Sequence, residues 1–264
     1  MDLGLENKVA LITGGSGGIG GPIARRFGAE RARVALTYHR NETAAKTVAQ
    51  EIEDAGGTAI AVAMDLAEPE SVQAAVAQVT KHWGPIEVLV VNASPAAGPE
   101  PVHTRFEDVA DEVWRSQIRT EVEGAFELTR AVVPAMRTNQ WGRIVFVSAS
   151  VVGRGFPGEE AYIASKAALH GLSRTLACEF YQAGVLSNVV APGPTVTPNL
   201  LRKVADRLDP ADGNDPERVR RSLERAMPHL RFSTPDHVAT AVAYLASAAN
   251  GNISGSVVDV AGGM

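Results

Sequence analysis

The chain has 264 residues, 45% hydrophobic and 21% charged, with a formal net charge of −5 from 25 Lys+Arg against 30 Asp+Glu. That length suits one α/β domain, the apolar share supports a sizeable core, and the acidic balance disfavours a nucleic-acid partner, which needs a basic excess. The single cysteine, Cys178, permits no internal disulfide and no cysteine cluster for zinc; no apolar run reaches membrane-spanning length; and Met1-Asp2-Leu3-Gly4 lacks a basic, apolar leader. The expectation is a cytoplasmic protein without a membrane partner or metal site.

Short β-branched runs alternate with helical patterns. Residues 8–13 (KVALIT) form a near-continuous apolar run, as in a strand buried on both faces. Glycines follow, then helical spacing over 19–30, a strand at 33–37, and a helix over 41–55 stopped by Gly56-Gly57. A strand is predicted at 58–63, a helix at 69–82 with proline in its first turn, and a strand at 86–91. Two helices are expected within 105–136, a strand at 143–147, a long helix at 162–181, and a sixth strand closing at 189–191 before Pro192-Gly193-Pro194. A late helix at 238–248 and a strand at 256–260 complete the pattern. Such a β-α-β-α rhythm predicts a Rossmann-like, doubly wound parallel sheet with helices on both faces. One domain over 1–264 is expected. The polar stretch 206–225 departs in composition and reads as part of a substrate-covering insertion at about 195–230.

The segment Thr13-Gly14-Gly15-Ser16-Gly17-Gly18-Ile19-Gly20 follows the first strand and opens a helix. There, glycines let the backbone turn tightly against a pyrophosphate while the helix N-terminus offers N–H groups and a positive dipole end. As a pattern alone it is weak; its place between strand and helix strengthens it. The second strand ends Thr37-Tyr38-His39-Arg40-Asn41 without the acid that an NAD site uses on the ribose. Arg40 is a candidate partner for a 2′-phosphate, which favours NADPH over NADH; the bland alternative is a solvated loop charge. Asp65 is a candidate adenine contact and equally a helix N-terminal acid.

Tyr162 and Lys166 stand four residues apart on a predicted helix and share a face. A phenol is a poor acid–base group at neutral pH, and a neighbouring ammonium lowers its pKa. Such a pair can pass a proton to or from a substrate oxygen while a nicotinamide carries hydride.

Taken in order, Thr13-Gly14-x-x-x-Gly18-Ile19-Gly20, Asp65, Asn92-Ala93, Tyr162-x-x-x-Lys166, Asn188-x-x-Ala191-Pro192-Gly193 and the ending Gly262-Gly263 resemble the short-chain dehydrogenase/reductase family over nearly the whole chain. The R-I-V-x-V-S strand and the segment 228–239, Pro228-His229-Leu230-Arg231-Phe232-Ser233-Thr234-Pro235 through Ala239, are most similar to 3-oxoacyl-carrier-protein reductase-like members. The resemblance implies a Rossmann-like domain, NAD(P)H and a homotetramer. It makes Tyr162 the acid–base group and has Lys166 bind ribose and tune Tyr162. It extends the cofactor-binding set to Gly14, Ser16, Gly17, Gly18, Ile19, Gly20, Tyr38, His39, Arg40, Asp65, Leu66, Asn92, Ala93, Ser94, Pro192, Gly193, Thr195 and Thr197, with Tyr162 and Lys166.

Three positions depart from the family pattern. The catalytic serine expected thirteen residues before the tyrosine falls on Ala149; Ser150, opening Ser150-Val151-Val152-Gly153, is the favoured replacement and Ser148 the weaker one. Where the family has asparagine three residues before a glycine, this chain has Glu121 before Gly124, a carboxylate able to pair with Lys166 or carry protons, or else an exposed helix residue. The family's N-A-G reads Asn92-Ala93-Ser94. His39, His82, His103, His170, His229 and His237 lack metal-ligand spacing and read mostly as surface residues; Cys178 reads as a small core residue. Arginines 218, 220, 221 and 225, interleaved with Glu217 and Glu224, read as a solvated helix face, the alternative being a receiving surface for an acidic carrier domain or a coenzyme A phosphate. The expected activity is NADPH-dependent reduction of a ketone, such as a 3-oxoacyl thioester or polyketide. The alternatives are a nucleotide-binding member with lost or altered redox chemistry, and an alcohol dehydrogenase working in the oxidative direction. Specificity is expected in segments 95–101, 151–160 and 195–227.

Overall fold

A computed structural model describes residues 2–95, 105–204, 216–226 and 232–263. Seven parallel strands, β1 (Val9–Ile12), β2 (Arg33–Tyr38), β3 (Thr58–Ala63), β4 (Val88–Val91), β5 (Gly142–Val147), β6 (Val185–Pro192) and β7 (Val257–Val260), lie in the order β3-β2-β1-β4-β5-β6-β7. The order reverses between β1 and β4, where Ala10, Leu11 and Ile12 pair with Val88, Leu89 and Val90. A crevice opens at the carboxyl ends of strands at such a reversal.

The apolar runs form central strands because both faces are covered. Ala10 and Ile12 of β1, Val88 and Val90 of β4, and Val145 and Val147 of β5 point to one face. They pack with residues of α1 (Gly20–Ala29), α2 (Glu42–Asp54) and α9 (Pro235–Leu245). Val9, Leu11, Leu89, Val91, Ile144 and Phe146 point to the other face, against α3 (Pro69–Trp83), α5 (Gly124–Thr138) and α6 (Glu160–Phe180). Each fully buried Leu, Ile, Val or Phe contributes roughly 1.5–3 kcal/mol by leaving water. α7 (Pro198–Val204) and α8 (Pro216–Ala226) belong to the segment read as an insertion.

The helix boundaries follow local chemistry. Asn41 caps α2 by accepting the Ala44 N–H, Pro69 starts α3 where no N–H donor is needed, and Thr234 and His237 form a reciprocal cap on α9. The region 105–136 holds the two expected helices, but no loop separates them. α4 (Asp111–Ile118) runs directly into a π-helical turn, Arg119–Glu123, and then into α5. The turn shifts the helical phase where Glu121 stands, and single π turns of this kind often mark functional positions.

Candidate active site

The loop after β1 folds on its own backbone. Thr13 is fully buried, and its hydroxyl accepts the Asn92 and Ala93 N–H groups at 2.9 and 2.8 Å, tying the ends of β1 and β4 together. The Asn92 side chain donates to the Thr13 carbonyl at 3.0 Å. Gly14 has φ +64°, and a Cβ there would lie 2.9 Å from Ala93 Cα. A Cβ on Gly20 would lie 2.1 Å from the Gly14 carbonyl oxygen, so the first turn of α1 can pack under the loop only as glycine. Gly17 and Gly18 face outward at the N-terminal end of α1. A Cβ on Gly18 would meet Thr197, just after β6.

At the ends of β2 and β3, His39 and Arg40 are exposed and Leu66 is buried. His39 Nε2 stands 3.2 Å from Asp65 Oδ2, and the other Asp65 oxygen accepts the Ala67 N–H. Asp65 therefore works both as a turn acid and as a partner of His39, a pairing that distant sequence positions did not reveal. After β6, Gly193 donates to the Val260 carbonyl and the buried Thr195 hydroxyl to the Gly193 carbonyl, while Thr197 caps α7. Ser94 is exposed.

Tyr162 and Lys166 lie on α6, and the Lys166 Nζ sits 5.8 Å from the centre of the Tyr162 ring. Tyr162 is half-buried; Lys166 and Glu121 are each 3% exposed. The Lys166 ammonium donates to Glu121 Oε2 at 2.8 Å and to the Val147 carbonyl at 3.1 Å. Of the two sequence readings of Glu121, the geometry matches the ion pair and not the exposed helix residue. Burial works against the Lys166 charge, but the Glu121 carboxylate overrides it and holds the amine's pKa above its ordinary value. Burial also pushes the Tyr162 phenol up. Lys166 opposes that push, and the Glu121 and Glu159 carboxylates add to it.

The two serines flanking Ala149 differ. Ser148 is buried at the end of β5; its hydroxyl donates to the Lys166 carbonyl at 3.2 Å and lies 2.8 Å from His170 Nε2. It is engaged with α6 through these two groups. His170, read as a surface residue, is half-buried, and burial first, then Arg174, holds its imidazole below the usual range against the pull of Asp259. Ser150 opens a 3₁₀ turn, Ser150–Gly153, and its buried hydroxyl oxygen has no partner among the described residues. Cys178, expected in the core, is exposed on α6. Arg218, Arg221 and Arg225 are exposed, and Arg220 pairs with Glu224. His103, His229, residues 96–101 and 205–215, and the start of the 228–239 segment lie outside the described residues.

A glycine turn at the sheet's reversal point, with a tyrosine–lysine pair at the neighbouring strand ends, defines a nucleotide-dependent oxidoreductase architecture. The chain matches the short chain dehydrogenase family over residues 8–208 and belongs to it. It is 36% identical over 261 residues to the oxidoreductase UcpA of Salmonella typhimurium, covering 98% of this chain and 95% of that one. It is 33% identical over 258 residues to the 3-oxoacyl-[acyl-carrier-protein] reductase MabA of Mycobacterium tuberculosis, covering 98% and 93%. Among solved structures, L-sorbose reductase from Gluconobacter frateurii, complexed with NADPH and L-sorbose, superposes with a TM-score of 0.88 at 31% identity, covering 100% of this chain and 98% of that one. A short chain dehydrogenase from Burkholderia cenocepacia in complex with NADP gives 0.81 at 30% identity, covering 98% of each chain. No helix among the described residues is long and apolar enough to cross a membrane.

Proposed function

We propose that the protein is an NADPH-dependent reductase of a ketone carbonyl, with a 3-oxoacyl thioester or polyketide as candidate substrates. The observations that carry this reading are the Tyr162–Lys166 pair on α6 and the buried Ser150 hydroxyl, without a partner among the described residues, on the 3₁₀ turn that packs against α6. A dinucleotide fits the residues present. Cβ atoms on Gly14, Gly15, Gly18 and Gly20 would collide with Ala93, Leu36, Thr197 and the Gly14 carbonyl, so glycine keeps the loop folded tightly before α1, whose N-terminus would meet a pyrophosphate. Gly14, Ser16, Gly17, Gly18, Ile19 and Gly20 would hold the phosphates. Tyr38, His39, Arg40, Asp65 and Leu66 would hold the adenosine end. Asn92, Ala93, Ser94, Pro192, Gly193, Thr195 and Thr197 would border the nicotinamide end. When bound, the reduced nicotinamide supplies a hydride to the carbonyl carbon.

The chain's own groups supply the rest. Ser150 donates a hydrogen bond to the carbonyl oxygen and polarises it, a duty closed to Ser148 because its hydroxyl is turned to Lys166 and His170. Tyr162 breaks its O–H bond as a new one forms at that oxygen, so the carbonyl becomes a hydroxyl and the phenol a phenolate that solvent reprotonates. Burial and the two carboxylates, against Lys166, leave the Tyr162 phenol protonated before the step but make it a weaker acid for it. The free Ser150 hydroxyl also supports turnover over a protein that only binds nucleotide.

Absorbance of NADPH with a panel of ketones, ketoses and acyl thioesters tests this reading. Ser150→Ala is expected to lower turnover about a hundredfold, and Ser148→Ala to leave it near wild type. Equal losses from the two would contradict the serine assignment. Arg40→Ala is expected to weaken NADPH binding about tenfold, as for a lost charge-assisted phosphate contact, and to spare NADH. Fluorescence titration with both nucleotides reads that difference, and equal effects would remove Arg40 from the 2′-phosphate. A homotetramer in the cytoplasm is part of the same proposal; exposed Trp114 on α4 and Phe126 on α5, 42% and 49% accessible, support an interface there.

A further inference from the structure

We propose that Glu121 is a positioning residue that neutralises the Lys166 ammonium through a direct buried ion pair and thereby sets the pH range over which Tyr162 keeps its proton. The inference rests on the reductase reading for its meaning, but its test does not. Glu121 stands in the π turn between α4 and α5, and the turn carries it to the inner side of a helix whose outer face holds exposed Glu123 and Phe126. The ion pair is 2.8 Å long and both side chains are almost fully excluded from water. The second carboxylate oxygen, Oε1, is buried and has no hydrogen-bond partner among the described residues. One oxygen is thus spent on Lys166, and no other cation among the described residues bonds the carboxylate.

A lone ammonium beside a phenol favours the phenolate. An ammonium already paired with a carboxylate presents almost no net charge, so the phenolate loses that support. The charged groups acting on Tyr162 are Lys166 from its own helix, Glu121 from the π turn and Glu159 at the start of α6. Only Lys166 among them favours the phenolate, and Glu121 bonds it directly. His170, a turn further along α6, is occupied with Ser148 and acts with Arg174 and Asp259. The overall equilibrium fixes the balance between reduction and oxidation at a given pH, whatever the enzyme. What Glu121 controls is where the limbs of the pH profile fall.

The test is the ultraviolet titration of tyrosinate absorbance, read as the difference between each protein and the same protein carrying Tyr162→Phe. It needs neither substrate nor nucleotide, so absence of carbonyl turnover would overturn the reductase reading and leave this result standing. In the wild type, Tyr162 is expected to titrate above the ordinary tyrosine value of about 10, or not before the protein unfolds. Glu121→Gln, which keeps an oxygen for Lys166 but removes the charge, is expected to move the titration to lower pH, and Glu121→Asp to keep it near wild type. The alkaline limb of reductase activity should move down with Tyr162 in Glu121→Gln, which a merely structural role would not cause. An unchanged or raised titration in Glu121→Gln overturns the proposal. So does a wild-type Tyr162 that titrates below the ordinary value, which decides the matter even where Glu121→Gln does not fold.

Discussion

Tyr162→Phe is expected to lower carbonyl turnover by about 10²–10⁴-fold while NADPH affinity and folding stay near wild type. The substitution removes one oxygen from a half-buried ring and leaves the ring where it packs. That oxygen is the proposed proton donor. Ser150, whose hydroxyl has no partner among the described residues, can polarise a carbonyl, but an aliphatic hydroxyl is too weak an acid to replace the phenol. Residual rate should come from orientation and polarisation alone. Single-turnover absorbance of bound NADPH separates chemistry from release. Near-normal turnover in this variant would remove Tyr162 from the reaction.

Lys166→Met is expected to destabilise the fold by about 3–5 kcal/mol, as well as to impair turnover. The pair it breaks is 3% exposed on both sides, so the substitution leaves the Glu121 carboxylate in the interior without a counter-ion. It also strips the Val147 carbonyl, at the end of β5, of its bond from Nζ. Removing both charges should be milder than removing one. The double variant Lys166→Met with Glu121→Gln is expected to recover a large part of the stability and none of the activity, because the partner left behind is neutral. Urea unfolding of the wild type, both single variants and the double variant gives the coupling directly. Additive losses would show that the two groups do not depend on each other.

The parallel sheet was legible because each central strand is apolar on consecutive residues, a pattern that only double coverage explains. The run at β1 and its glycine loop marked the expected phosphate end of the sheet, while the reversal of strand order between β1 and β4 had no sequence signal. Helix starts were legible where a capping side chain or proline marks them, at Asn41 and Pro69; the late helix, expected over 238–248, begins three residues earlier at Pro235, capped by Thr234. What escaped were features set by packing across the chain. The π turn has no signature in Arg119–Glu123, whose composition reads as an ordinary exposed helix; the family's asparagine position was the only pointer to Glu121. His170 gave no sign of meeting Ser148 because they lie 22 residues apart on different elements. Cys178 misled in the other direction. Its residue type favours burial, but α6 turns that position outward. The serine question was narrowed by sequence to two positions and could go no further: strand alternation would put Ser148 and Ser150 on one face, and the 3₁₀ turn that opens at Ser150 is what separates them.

Transfer of deuterium from C4-labelled NADPH to product tests the central claim most directly. Purified protein is incubated with the labelled nucleotide and the carbonyl panel, and the product alcohols are analysed by mass spectrometry. The account predicts an alcohol carrying one deuterium on the former carbonyl carbon, formed by the wild type and sharply reduced in Tyr162→Phe. Tight NADPH binding with no labelled alcohol from any member of the panel would contradict it, and would leave the chain as a nucleotide-binding member of its family.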